Sequence, residues 1–257
     1  MKQLYTGFHA IEEQIKKFSQ EQKHTSCPII YYAKEGPRVK RILSLARDCG
    51  LQAVQADRKT LDNMASVLPQ QLQDHRGIIL CTENSENATN TSVQLDTWIK
   101  TCPESALVVV LDSVTDPHNV GAILRSCDKF KASLLIVPER NSPSNIQSNE
   151  IIARSSAGAN SWVPIASVTN LVRSVEQLKQ AGFWVYGADI DGESLAQTQF
   201  AAKTCIIMGS EGSGMSHLLS KECDTIITIP TSGHVDSLNV SVAAGIILYE
   251  HYRQKIC

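Results

Sequence analysis

The chain lacks several features that would fix its class at once. No stretch of its 257 residues approaches the roughly 20 uninterrupted apolar residues of a membrane helix, so no membrane partner is expected. The opening MKQLYTGFHAIEEQIKK has neither the apolar core nor the cleavage site of a secretory signal, and a cytoplasmic protein is the expectation. There is no C-x-x-C pair: the eight cysteines lie at 27, 49, 81, 102, 127, 205, 223 and 257. That spacing excludes the common zinc ribbons and redox motifs, and free thiols packed as small hydrophobes are expected, with no metal. Internal repeats are absent too, and so is the G-x-S-x-G elbow of the α/β-hydrolases.

What is present is ordinary globular composition, 42% hydrophobic and 19% charged. The net charge of −2 is unevenly spread. Residues 1–80 carry 12 Lys/Arg against 8 Asp/Glu, residues 81–103 carry 1 against 3, and residues 104–257 carry 11 against 15. Sequence-independent attraction to phosphate is therefore concentrated in the first third, although so small an excess also suits a solvated surface.

The first 80 residues alternate helix-like and strand-like patterns. Gly7–Phe18 is amphipathic, Pro28–Ala33 is β-rich, and Pro37–Cys49 sets Ile42, Leu45, Ala46 and Cys49 on one helical face. A strand at Leu51–Ala56, a helix at Thr60–Leu68 and a strand at Gly77–Cys81 complete a small α/β unit. The polar run TENSENATNT, residues 82–91, reads as linker. From Ala106 the alternation restarts, with strands expected at Ala106–Leu111, Leu134–Val137, Trp162–Ile165, Trp184–Ala188, Cys205–Met208 and Thr225–Ile229. Helices between them imply a mostly parallel sheet covered on both faces. A last helix, about Leu238–Gln254, is apolar nearly all round up to Tyr249 and is expected to be buried in the domain or in a subunit interface.

Ligands of such sheets bind beyond the carboxyl ends of the strands, and three loops stand out there. Asp112–Asn119 leads into a helix that carries Arg125; turn and cap chemistry explains Asp116 and Asn119, while Arg125 suits either an ion pair or a ligand. Gly209–Met215 has three glycines in six residues, fitting a tight turn or a backbone cradle. Its spacing matches neither the Walker phosphate loop nor the Rossmann fingerprint. Ile229–Asn239 ends at the last helix, with Ser237 or Asp236 suited to cap it and Asn239 in need of a partner.

Taken together, LDSVTDPHNVGAILRSC, IIMGSEGSGM and IPTSGHVDSLNVSVAAGIILYE resemble motifs 1, 2 and 3 of the SpoU/TrmH methyltransferases of the SPOUT superfamily. The likeness spans about Leu107 to Arg253, with Ser155–Ala159 in a familiar place. Tyr5–Ile11 and His75–Gly77 look like the ends of the L30e-like amino-terminal domain of ribosomal-RNA members. The resemblance implies an α/β fold with a carboxy-terminal trefoil knot, an L30e-like RNA-binding domain at residues 1–81, a linker at 82–103 and a methyltransferase domain at 104–257. It implies S-adenosylmethionine held by Gly209, Glu211, Gly212, Ile229 and Leu238, and a homodimer. The implied reaction is methylation of a ribose 2′-hydroxyl, on a guanosine of large-subunit ribosomal RNA. Arg125 would serve the hydroxyl, with Asn119, Glu211, Ser237 and Asn239 positioning substrate and arginine.

Three rivals remain. A transfer-RNA methyltransferase is disfavoured by the L30e-like domain, and a non-catalytic RNA-binding or assembly protein by the intact motif residues. A hydrolase built on Ser237, His234 and Asp236 fails because residues so close in sequence rarely form a triad.

Overall fold

The structure, a computed structural model, describes residues 2–20, 28–68, 73–83, 91–143, 145–147 and 149–256. Most of the polar run after Thr82 lies outside them. The chain forms two compact units, one of residues 1–90 with 147–161, the other of residues 91–146 with 162–257.

In the first unit, β1 (Lys2–Thr6), β2 (Ile29–Tyr32), β3 (Gln52–Gln55) and β4 (Ile78–Glu83) form a sheet in the order β1-β4-β2-β3. β4 is antiparallel to both neighbours, and β2 runs parallel to β3. Helices α1 (Phe8–Gln20), α2 (Pro37–Asp48) and α3 (Arg58–Ala65) connect the strands. Proline at the start of α2 occupies a position whose N–H has no intrahelical partner, and Asp57 caps α3 by accepting the Thr60 N–H at 2.7 Å. Ile11, Ile15, Ile30, Ile42 and Ile78 are fully buried at its centre. His75 is buried as well. Its Nδ1 accepts the Gly77 N–H (3.0 Å), so Nε2 is left to donate to Asp62 (2.9 Å), which ties the start of β4 to α3.

This unit also contains a segment drawn from far along the chain. After Asn149, whose side chain accepts the N–H groups of Ile151 and Ile152, comes α6 (Glu150–Ser155) and then a single 3-10 turn at Ala159–Ser161. Ile151 joins the cluster of Leu61, Ala65 and Ile79, and Gln14 donates to Ser161 Oγ at 2.5 Å.

The second unit begins at α4 (Leu95–Thr101), a helix inside the span read as linker, which packs into the core below the sheet. Six strands follow, all paired in parallel: β5 (Ala106–Leu111), β6 (Leu134–Pro138), β7 (Ile165–Val168), β8 (Trp184–Ser194), β9 (Lys203–Met208) and β10 (Thr225–Thr228). Their order is β10-β8-β9-β5-β6-β7. This is the mostly parallel α/β sheet expected from the sequence. β5 lies at its centre, no residue of it more than 3% exposed. Burying each such Val or Leu side chain contributes about 1.5–3 kcal/mol, which is why the continuous apolar run was a reliable strand signal.

Two strands differ from expectation. β7 starts at Ile165 rather than Trp162, because Pro164 has no N–H for the ladder and offers only its carbonyl, to Leu135. β8 continues past Ala188 to Ser194, and its register against β10 shifts between Ile226 and Ile227. Helices α5 (Pro117–Lys129), α7 (Leu171–Gln180), α8 (His217–Glu222) and α9 (Val240–Ile256) complete the unit. Among the described residues no helix is long and apolar enough to cross a membrane.

Within one chain the last helix is covered on one face only. Val240, Ala244, Ile247, Leu248 and His251 of α9 face inward, whereas Val242 (50%), Ile246 (38%) and Tyr249 (53%) are exposed. The helix packs on α5, where Gly245 passes close to Ser126, and Phe130 meets Tyr249 edge-on and Tyr252 at a tilt.

Candidate active site

The strand order itself selects a place for chemistry. From β5 the chain moves outward to β6, and from β9 it moves the opposite way to β10, so the loops after β5 and β9 diverge from adjacent strands. Such a switch point leaves a crevice at the carboxyl edge of a parallel sheet. The two loops are tied at its base. Asp112 donates its N–H to the Met208 carbonyl (2.9 Å), and its buried carboxylate accepts the Ser216 N–H (2.7 Å).

Over the crevice the structure joins three of the singled-out side chains. Asn119 Nδ2 donates to Glu211 Oε1 at 2.9 Å, Asn239 Nδ2 donates to Asn119 Oδ1 at 3.1 Å, and Asn239 Nδ2 also reaches Glu211 Oε1. Each comes from a different loop, 92 or 120 residues from Asn119. Asn239 has a second task that sequence reasoning gave to Ser237 or Asp236. Its Oδ1 caps α9, accepting from the Ser241 N–H (2.9 Å), the Ser241 hydroxyl (2.6 Å) and the Val242 N–H (3.3 Å). The helix begins one residue later than Asn239, so the amide that lacked a partner is the cap. Ser237 is exposed and forms no hydrogen bond among the described residues.

Arg125 stands in the third turn of α5, exposed, and makes no ion pair or hydrogen bond among the described residues. The structural ion pair that was its alternative explanation is therefore not formed there. A permanently charged, uncommitted guanidinium beside a crevice suits an anionic ligand.

The glycine loop is closed on itself. Ser210 and Gly214 exchange both backbone hydrogen bonds at 3.0 Å, and the Ser210 and Ser213 hydroxyls meet at 2.7 Å. A Cβ on Gly209 would fall 2.3 Å from the Gly214 and Met215 backbone, so this glycine is required by the turn; at Gly212 a Cβ would meet nothing within 4 Å. Both readings of the loop thus have a place in it: a tight turn at Gly209 and an open backbone face at Gly212.

From Ile229 to Leu238 no main-chain hydrogen bond forms among the described residues. Ile229 is half-buried and Leu238 is 38% exposed. Free backbone donors and acceptors flanked by two aliphatic side chains suit a flat heteroaromatic ring with polar edges, such as the adenine of S-adenosylmethionine. Among the described residues no group of three His, Cys, Asp or Glu side chains could hold a metal ion, and the six described cysteines are free thiols.

Comparison with known proteins identifies the family. The model of the SpoU rRNA methylase family matches residues 106–249. The 23S rRNA (guanosine-2′-O-)-methyltransferase RlmB of Ralstonia nicotianae is 34% identical over 98% of this chain and 96% of its own length. The SpoU methyltransferase AviRb from Streptomyces viridochromogenes, solved in complex with AdoMet, shares the fold, with a TM-score of 0.71 over 99% of this chain and 91% of its own at 24% identity. The TrmH/SpoU tRNA modifying enzyme of A. aeolicus is 31% identical but covers 63% of this chain and 84% of its own, with a TM-score of 0.52. With a family model matching more than half of its length and a relative aligned almost end to end, the chain belongs to the SpoU rRNA methylase family.

Proposed function

We propose that this protein transfers the methyl group of S-adenosylmethionine to a ribose 2′-hydroxyl of RNA, on a guanosine of large-subunit ribosomal RNA. The observation that carries the reading is the hydrogen-bonded joint of Asn119, Glu211 and Asn239 at the switch point, with Arg125 uncommitted nearby. The ribosomal assignment is supported by the end-to-end likeness to a 23S rRNA enzyme, against a tRNA enzyme that covers under two thirds of the chain.

When bound, S-adenosylmethionine supplies a methyl group already activated by its sulfonium. The residues to hold it are Gly209, Glu211, Gly212, Ile229 and Leu238. The remaining work is alignment and charge stabilisation. Arginine is a poor base because its charge is permanent, so Arg125 orients a substrate phosphate, whose oxygen takes the hydroxyl proton, and stabilises the oxyanion left on the ribose. Asn119 and Asn239, bonded to Glu211, fix the loops around the reacting oxygen, and Ser237 is the further group we assign to positioning the substrate.

The exposed row of Val242, Ile246 and the outer edge of Tyr249 on α9 is the face on which a second copy would pack, giving a homodimer. A carboxy-terminal trefoil knot accords with the path of residues 229–239. β10 is an edge strand separated from β9 by β8, yet Asn239 reaches the loops of β5 and β9. We infer a cytoplasmic protein in which residues 1–81 serve as the RNA-binding domain.

The test is methyl transfer from labelled S-adenosylmethionine to total RNA from cells lacking the protein, followed by mapping. Label in one 2′-O-methylated guanosine of large-subunit RNA is the expected result. Label in transfer RNA would reassign the substrate, and cofactor binding without transfer to free or pre-ribosomal RNA would point to a non-catalytic protein.

A further inference from the structure

Along the carboxyl edge of the six-stranded sheet the arginines are confined to one side. On the β8, β9 and β10 side, residues 189–194, 209–216 and 229–239 hold Asp189, Asp191, Glu193, Glu211 and Asp236 and not one lysine or arginine. On the other side, two arginines stand at the ends of adjacent strands. Arg140 follows β6, and Arg173 lies in the first turn of α7, directly after β7. The ladder holds their backbones together, Pro138 opposite Val168 and the Glu139 N–H donating to the Val168 carbonyl at 2.9 Å. Both arginines are exposed, and neither guanidinium has an ion-pair or hydrogen-bond partner among the described residues.

Neither arginine is explained by stability. A cation in the first turn of a helix opposes the helix dipole, and α7 has no acidic residue there to offset it. Acids lie on this side too, but none engages the pair: Asp112 accepts the Ser216 N–H, Asp116 caps α5 by accepting the His118 N–H (2.9 Å), and Glu139 and Glu176 form no ion pair with either arginine, so both guanidinium groups keep their donors for a phosphate.

We propose that the RNA strand lies over the β6–β7 corner of this edge, its phosphates held by Arg140 and Arg173, while the acidic β8–β10 side repels it and is left to the cationic cofactor. The Asn119–Glu211–Asn239 joint, between β5 and β9, marks the boundary at which the two meet. The inference rests on the reading of the chain as an RNA methyltransferase and adds the direction from which substrate arrives.

The test uses the full-length protein and a large-subunit ribosomal RNA transcript, with transfer kinetics, RNA binding by fluorescence anisotropy across a salt series, and cofactor binding by calorimetry. The R140E/R173E double variant should raise KM for RNA and weaken RNA binding by about tenfold or more, with a shallower salt dependence. The loss should be confined to KM, leaving kcat at saturating RNA and the affinity for S-adenosylmethionine as in the wild type. R140K/R173K, which keeps the charge, should restore binding to within about threefold. K129E/K131E makes the same charge change at the opposite edge, at the end of α5, and should leave KM unaltered. Wild-type KM in R140E/R173E, or an equal defect in K129E/K131E, would overturn the track while leaving the enzymatic reading intact. A wild type that neither binds nor methylates the transcript would overturn the enzymatic reading and the track with it.

Discussion

At the residue scale, Arg125 separates substrate chemistry from cofactor binding. Because it sits on α5 and not on the glycine loop or the 229–239 segment, Arg125→Ala should lower transfer by at least about a thousandfold, the scale of losing a transition-state charge stabiliser. Affinity for S-adenosylmethionine should stay within about twofold, and calorimetry beside single-turnover kinetics reads both quantities. Normal turnover would remove Arg125 from the mechanism.

Two buried titratable groups give opposite pH responses. His251, on the inner face of α9 against Phe200, has no partner on either ring nitrogen; burial first, then Lys255, lowers its pKa to about 4. The unfolded chain takes up this proton near 6.5 and the folded one near 4, so stability falls as pH drops through that window, by on the order of 2 kcal/mol. Glu150 in α6 is raised by burial to about 7 from 4.5, and one of its oxygens is buried without a partner. Its contribution is fully present below 4.5 and lost as pH rises through 7. Denaturant titrations from pH 4 to 8 on His251→Phe and Glu150→Gln should each flatten one limb; a limb unchanged by its own substitution removes that group as its cause.

At the scale of elements, α9 serves two surfaces. Ile246→Glu puts a charge in the middle of the exposed apolar row without touching the inner face, so light scattering should show dimer becoming monomer while the melting temperature of the monomer is kept. A wild type that is monomeric at micromolar concentration would leave the row to another partner. The double character of α9 was not legible beforehand: its apolar residues run round the helix, and pattern alone cannot tell the side that meets α5 from the side that meets nothing within the chain. Where a run is apolar and fully covered, as in β5, sequence and structure agree to the residue. β1 was missed because Lys2–Thr6 offers only Leu4 and Tyr5 as apolar residues, and its pairing with β4 supplies the rest. The cap of α9 was misplaced because Asp236, Ser237 and Asn239 are all good capping residues; only the path of the chain decides among them. The three motif loops could be read from composition, yet the contact of Asn119 with Glu211 and Asn239 spans 92 and 120 residues and follows from strand order alone.

For the whole molecule, the division into units cuts across the order of the chain. Residues 147–161 lie between β6 and β7 of the second unit but pack with residues 1–90, through Ile151 against Leu61 and Ser161 against Gln14. No periodicity signals such an exchange. Removing residues 1–80 should therefore do more than weaken RNA binding. Hydrogen exchange at 149–161 should accelerate by about tenfold or more, while β5 and β9 stay protected. Unaltered exchange there would mean that the segment is held by the second unit.

The one-sided arginines of the sheet edge also bear on the encounter itself. A near-neutral protein gains little speed from overall attraction to a polyanion, but one whose arginines stand on only one half of an edge presents an uneven potential along it. In the field of a folded RNA such a body experiences a torque before it feels a net pull, so it turns its arginine side forward as it diffuses inward. Added salt should then lower the proportion of collisions that are correctly oriented more than the number of collisions.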